Sequence, residues 1–485
     1  MKNSVLYEIN AHLLVRRFGD KSKLRDIPDQ YFESLAQKGI SVIWLMGVWQ
    51  NCPDLVEQCC LSSDLISSYR RALPDWSKQD VIGSPYAIKD YVVHTDLGSM
   101  EDLLELKERI NDLGMKLFLD FIPNHFGATT PLLDSAPDVF LHVDDVLFEK
   151  DSHTFFKHNS NTFAHGRDPM FPAWTDTVQV NYFSKTARSL MVDRLITLTK
   201  CCDGVRCDMA MLSLSHVFQN TWMGVLKETK QPDEEFWSEA IRTVKSIRND
   251  FIFLAEAYWD LEWKLQKLGF DYTYDKRLLE RLFDNDVWGV KGHLTADDDF
   301  QQKSVRFLEN HDEQRAVSKF GEARSLAAAT IVSTIKGMKF YFDGQFEGKK
   351  IKVPVQLGRE PFEKVSKNIS DYYGRLLQIN SDGVFKYGEW KIIEPEKITP
   401  ENYSFERFFS WLWSYQNQCR LVVINYSDRT AQCRIKFPFD VPHDLIMLED
   451  LLTGAEYIRS TAEIKSVGLY VELKPYHSHI FSFQI

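Results

Sequence analysis

Gly204-Val205-Arg206-Cys207-Asp208 closes a short apolar run with an arginine and an aspartate two residues apart. On a strand, residues i and i+2 point to the same side. The pair therefore sets a carboxylate beside its own counter-charge, which holds it ionised. Taken alone, it reads equally well as a structural ion pair. Other strand-like runs end in a similar way. Asp120-Phe121-Ile122-Pro123-Asn124-His125 follows one, Glu256-Ala257-Tyr258-Trp259 another, and Glu309-Asn310-His311-Asp312 a third. Asp208, Glu256 and Asp312 thus stand at three separate strand ends, with His125, Arg206 and His311 among them. That pattern points to carboxylates gathered for chemistry rather than to scattered surface charge.

Gathering them requires a frame. Residues 5–10, 40–46, 115–121, 251–256, 270–274, 304–310 and 337–342, together with the run ending at Asp208, form eight strand candidates. Several are nearly continuous apolar runs, as expected of strands buried on both faces. Apolar residues at helical spacing fill 29–38, 100–113, 184–199 and 236–249, with Gly39 and Gly114 as stops. Alternating strands and helices predict an α/β fold, a parallel (β/α)8 TIM barrel whose chemistry sits at the C-terminal strand ends. The barrel is expected over 1–125 and 181–384. Residues 126–180, rich in Pro, His, Asp and Phe and without periodicity, are expected to form an inserted domain. Alternating segments from 385 to 485 predict a C-terminal antiparallel β-sandwich domain.

Composition narrows the class. A chain of 485 residues with 44% hydrophobic and 26% charged residues suits a large globular domain plus a smaller one. Aromatics reach 13%, and flat rings are also what stacks on sugar faces. A net charge of −11 argues against a nucleic-acid partner. No apolar run reaches membrane-spanning length. The 8 cysteines lack the spacing of a zinc site or a secreted disulfide framework. With an N-terminus that enters a strand directly and shows no leader pattern, this predicts a cytoplasmic protein with reduced thiols.

In order, the four strand-end segments resemble the signature regions of the α-amylase family, glycoside hydrolase family 13: D-x-x-x-N-H, G-x-R-x-D, a Glu ending strand five, and N-H-D after strand seven. The resemblance covers the barrel through about residue 345; the inserted segment and the β-rich tail resemble the family's domains B and C. It implies Asp208 as nucleophile, Glu256 as general acid/base and Asp312 as a third carboxylate that binds sugar hydroxyls. A retaining glycosidase of this kind works with two carboxyl groups about 5–5.5 Å apart. On this reading Arg206 keeps Asp208 ionised, and burial beside Tyr258 and Trp259 raises the pKa of Glu256. The resemblance further implies that His125 and His311 hydrogen-bond the sugar and that Tyr86 stacks on it. Arg206 and Trp259 complete the substrate-binding set. Asn124 matches a calcium position of many α-amylases, and Gln179-Val180-Asn181 occupies the place of a weaker fifth region.

The chain also departs from that family. Met209-Ala210-Met211-Leu212 follows the nucleophile where many α-amylases have Lys-His at the later positions. Gly83 stands where exo-acting α-glucosidases carry an Asp. The first argues against an ordinary endo-acting starch amylase and against a bound calcium, and its apolar run is expected to suit a small or unusual aglycone. The second removes the clamp on a terminal sugar; no cofactor is expected to be required. The expected activity is hydrolysis of a short α-glucan or small α-glucoside, with a small carbohydrate as substrate and neither nucleic acid nor membrane as partner. Alternatives are a compatible-solute glucoside such as glucosylglycerol as substrate, a transglycosylase or phosphorylase of the same family, or a non-catalytic binding subunit.

Overall fold

The structure, a computed structural model, describes residues 2–226 and 229–485. Eight parallel strands close into a barrel in sequential order: β1 Val5–Asn10, β2 Val42–Met46, β3 Lys116–Phe121, β4 Gly204–Cys207, β5 Ile252–Ala255, β6 Tyr272–Tyr274, β7 Ser304–Arg306 and β8 Met338–Phe342. Every residue of β1, β2 and β4 is buried, which explains why these strands read as unbroken apolar runs. Gly204 opens β4 because its neighbours lie too close for a side chain: a Cβ there would stand 2.6 Å from Phe118 and 2.7 Å from the Ile252 carbonyl. Helices pack outside by their apolar stripes. Met100–Asp112 buries Leu103, Leu106 and Ile110 and starts at a capping box in which Ser99 and Asp102 satisfy each other's backbone N–H.

After β3 the chain makes a short strand, His125–Gly127, paired with Thr177–Gln179, and a hairpin of Phe155–His158 with Asn161–Ala164. Phe126, Phe140, Phe163 and Val178 join the barrel's own apolar core, so this insertion is rooted rather than tethered. A second excursion, after β2, carries no strong sequence signal. Trp49–Asn51 pairs with Ile88–Val93. Between them, the helix Ser63–Ala72 buries Tyr69 and Ala72 against Leu357 of the loop after β8.

The C-terminal part contains a six-stranded antiparallel sheet, in the order Glu389–Ile392, Phe408–Tyr415, Gln418–Asn425, Ser478–Gln484, Leu445–Asp450, Ala455–Ser460, and a two-stranded sheet of Ala431–Ile435 and Leu469–Leu473. The two sheets enclose a core that includes Phe408, Leu421, Val423, Cys433 and Val471. The other face of the large sheet turns Trp411, Trp413, Val422 and Ile424 into the barrel's core. Trp413 donates to the Thr334 carbonyl at 2.6 Å, and Tyr426 to the Leu282 carbonyl at 2.8 Å. Leu445–Asp450 and Ala455–Ser460 lack a clean apolar-in, polar-out alternation because Leu445, Met447 and Ile458 stand on their exposed positions. Among the described residues no helix is long and apolar enough to cross a membrane.

Candidate active site

The strand ladder continues one residue past β4 and β5. The Asp208 N–H donates to the Phe121 carbonyl at 2.8 Å, and the Glu256 N–H to the Cys207 carbonyl at 3.0 Å. Backbone register therefore fixes where the two carboxylates start. Arg206, level with Asp120 of β3, points into the barrel mouth with no solvent exposure. Its guanidinium donates to Asp208 Oδ1 and Glu256 Oε2, each at 2.7 Å, and to Asp120 Oδ1 at 3.3 Å. The rings of Trp44 and Tyr86 flank it at 5.0 and 5.5 Å.

One cation shared among three carboxylates alters the expected charge state. Burial pushes Asp208 up to about 7 despite the pull of Arg206, and the charges of Glu256 and Asp120 push the same way. Burial also lifts Asp120 to about 6, against Arg206 and His311. The sequence reading, in which Arg206 alone keeps Asp208 ionised, holds for the contact but not for the charge. Asp208 therefore still holds its proton in part of the molecules near neutrality.

Glu256 is buried, and its position depends on a strained turn. Met209 has left-handed backbone angles, φ 41° and ψ 47°, costly for a residue with a side chain. The turn brings its N–H to Glu256 Oε2 at 2.7 Å. The Tyr258 hydroxyl donates to Glu256 Oε1 at 2.6 Å; once Oε1 carries a proton, that bond can run the other way. Trp259 lies at the rim, 39% exposed and with φ 64°, so Tyr258 is the ring that reaches the acid. Ala210, Met211 and Leu212 do not line an aglycone site as expected. They are buried in the core, where the Ala210 carbonyl accepts from Trp237 at 2.8 Å. Met209 alone is only half-buried.

Across the mouth, Asn310 turns the chain by accepting from the backbone N–H of Asp312 and Glu313, both at 2.9 Å. His311 is buried and makes three contacts: Glu8 Oε1 to Nδ1 at 2.5 Å, and the Tyr86 hydroxyl at 2.8 Å and Asp312 Oδ2 at 3.0 Å to Nε2. Burial alone would lower its pKa, but Asp312 and Glu8 outweigh it and raise His311 well above its ordinary value. Burial works the other way on Asp312, where His311, Arg206 and Lys352 win and hold the carboxyl below the usual range. The Asp312 side chain is 48% exposed, so water weakens that effect. His125 is neutral near pH 7: burial lowers it to about 4 against a hydrogen bond to the Tyr86 backbone. Trp174 of the inserted segment stands edge-on to it at 5.3 Å.

Asp208, Glu256, Asp312, Tyr86, His125, Arg206 and His311 thus gather at the C-terminal mouth. Sequence reasoning missed Glu8 and Trp174, and gave Asp120 only a place in a motif and Tyr258 only a place beside Glu256. Glu8 had a signal, as the one charged residue in the buried strand Val5–Asn10. Asn124, the possible calcium position, has both of its oxygens hydrogen-bonded. Gln179 Nε2 donates to its carbonyl at 2.8 Å, to its Oδ1 at 3.0 Å and to the Val180 carbonyl at 3.0 Å. An amide nitrogen fills the place where a metal would gather those oxygens.

The model of the alpha-amylase catalytic domain matches residues 29–372. Alpha-amylase 3 of Dictyoglomus thermophilum is 22% identical over 398 residues, 76% of this chain and 69% of that protein. An alpha-amylase of Haloarcula japonica is 25% identical over 365 residues, 72% of this chain and 45% of that one. Among solved structures, a maltogenic alpha-amylase of Thermotoga neapolitana superposes with a TM-score of 0.70 at 19% identity, covering 100% of this chain and 99% of the other.

Proposed function

The chain belongs to the alpha-amylase family of glycoside hydrolases, and from that premise we propose that it cleaves a short α-glucan or small α-glucoside by double displacement. Asp208 attacks the anomeric carbon while Glu256 gives its proton to the leaving oxygen; the C1–O bond breaks and an Asp208–glycosyl ester forms. Water, deprotonated by Glu256, then attacks C1, releases Asp208 as a carboxylate and returns the proton to Glu256. His125, His311 and Asp312 hold the sugar hydroxyls, Arg206 holds the two reacting carboxylates in place, and Tyr86 covers a sugar face. The observation that carries this reading is the single guanidinium of Arg206 bridging Asp208 and Glu256 at 2.7 Å each. It sets nucleophile and acid side by side on one shared cation.

Following the products by NMR with maltooligosaccharides, sucrose, trehalose, isomaltose and glucosyl-polyols tests it. The α-anomer is expected to be released first from one of these substrates. Release of the β-anomer overturns double displacement, and glycosylated acceptor instead of free sugar makes the enzyme a transglycosylase.

We also propose that no calcium is needed at Asn124, because Gln179 already occupies its oxygens. A chelator is expected to leave melting temperature and activity unchanged; a fall of several degrees rejects this. All eight cysteines are free thiols, and Cys59 alone among them is not buried, which supports a reducing, cytoplasmic setting.

A further inference from the structure

A cleft of about 490 Å³ opens beside Asp312, between the helix Ser63–Ala72 and the loop that follows β8. Its size suits a small ligand. His311 and Asp312 belong to its lining, and so do three cations, Arg71, Lys350 and Lys352. The chain as a whole is acidic, at −11, and neighbouring cations on the same loop are paired: Lys349 with Glu360, Arg359 with Asp75 and Asp80. The three cleft cations make no ion pair among the described residues. Arg71 donates to Ser67 Oγ at 3.1 Å, and Lys352 to the backbone carbonyl of Asp312. Glu363, the acid next to Lys350, is turned instead onto the backbone N–H groups of Lys350 and Ile351, at 2.7 and 3.3 Å.

Three positive groups are therefore collected around a cavity without an ion pair to any of them among the described residues, Lys352 acting on the Asp312 carboxylate only through its charge, and the cavity adjoins the His311 and Asp312 side of the site. Glu256, Tyr258 and Met209 are absent from its lining. It thus opens onto His311 and Asp312 and away from Glu256, the group that protonates the leaving oxygen. Like charges brought together in this way favour an anion, above all one able to accept several charge-assisted hydrogen bonds.

We propose that this cleft binds an anionic substituent, a phosphate or a carboxylate, on the sugar held at Asp312, so that the substrate is an acidic α-glucoside. The proposal rests on the glycosidase reading for its placement of the sugar. Its rival is that the cations merely offset the negative charge of Asp312 and the carboxylates beyond it.

Titration calorimetry of the full chain with glucose, glucose 6-phosphate and glucuronate separates the two. At least one of the acids is expected to bind about tenfold or more tighter than glucose, with a preference that weakens as salt is added. In the double variant R71Q/K350Q that preference is expected to fall about tenfold. Preference for glucose 6-phosphate identifies a phosphate site, and preference for glucuronate a carboxylate site. Equal binding of all three compounds overturns the proposal. So does a preference untouched by R71Q/K350Q, or an equal loss for glucose and the acids, which is the signature of charge balance alone. Hydrolysis of 4-nitrophenyl α-glucoside by the same wild-type sample keeps the two readings apart. Turnover of this neutral probe without acid preference leaves the glycosidase and ends the anion site. Acid preference without turnover of any glucoside leaves the anion site and ends the glycosidase.

Discussion

Asp208→Asn is expected to lower kcat by about 10⁴–10⁶-fold and, at alkaline pH, to raise the melting temperature. The loss follows from removing the atom that bonds to C1. The gain follows from the charge the site must otherwise hold. Asp208 titrates near 7 in the folded protein, against an ordinary value of 3.8. The folded state thus keeps a proton that the unfolded chain has released, and ionising the carboxyl costs stability increasingly as pH rises from about 4 to 7. That cost is fully present at pH 8 and nearly absent at pH 4. Asn carries no such charge, so the variant is expected to melt higher relative to wild type at pH 8 than at pH 5. Thermal unfolding at both pH values measures the difference. Wild-type turnover rejects Asp208 as nucleophile, and a melting difference independent of pH rejects the assigned charge state.

Arg206→Met is expected to be worse than inactive. It leaves Asp120, Asp208 and Glu256 facing one another, each no more than 7% exposed, without the cation they share. Removing one partner from a buried ionic group costs about 3–5 kcal/mol, and here three partners are stranded at once. The deficit is expected to be largest at pH 8 and to shrink at pH 5, where the carboxyls take up protons. If the variant does not fold at pH 8, adding Asp120→Asn, which removes one of the stranded charges, is expected to restore part of the stability. Denaturant unfolding of the single and double variants at both pH values tests this. A deficit that is the same at both pH values shows that Arg206 acts through packing on Trp44 and Tyr86 rather than through charge.

The barrel was legible in the sequence because burial on both faces turns strands such as Val42–Met46 into unbroken apolar runs, and because polar residues then stand out where the strands stop. Arg206, Asp208, Glu256, His311 and Asp312 were found that way, before any geometry. What stayed hidden depends on contacts across the sequence. Glu8 meets His311 from 303 residues away, and nothing local marks the pairing. The charge state of Asp208 was misread because Arg206 and Asp208 are neighbours on one strand, whereas Asp120 and Glu256 reach the same guanidinium from the flanking strands. Met211 and Leu212 were read as suiting an aglycone because apolar residues after a candidate nucleophile look the same whether they face a sugar or the core. The wall formed by Ser63–Ala72 was missed because its burial is supplied by Leu357, nearly three hundred residues further along.

The large C-terminal sheet has no solvent-facing side at its centre, since Phe408 and Leu421 serve its own sandwich while Trp411 and Trp413 serve the barrel. The tail therefore works as a structural brace rather than an interchangeable accessory. Cutting the chain after 384 would leave Thr334 and Leu282 without their donors and open an indole-sized hollow in the barrel's outer wall. Evolution can vary the mouth of this barrel loop by loop, but the tail and the barrel must change together.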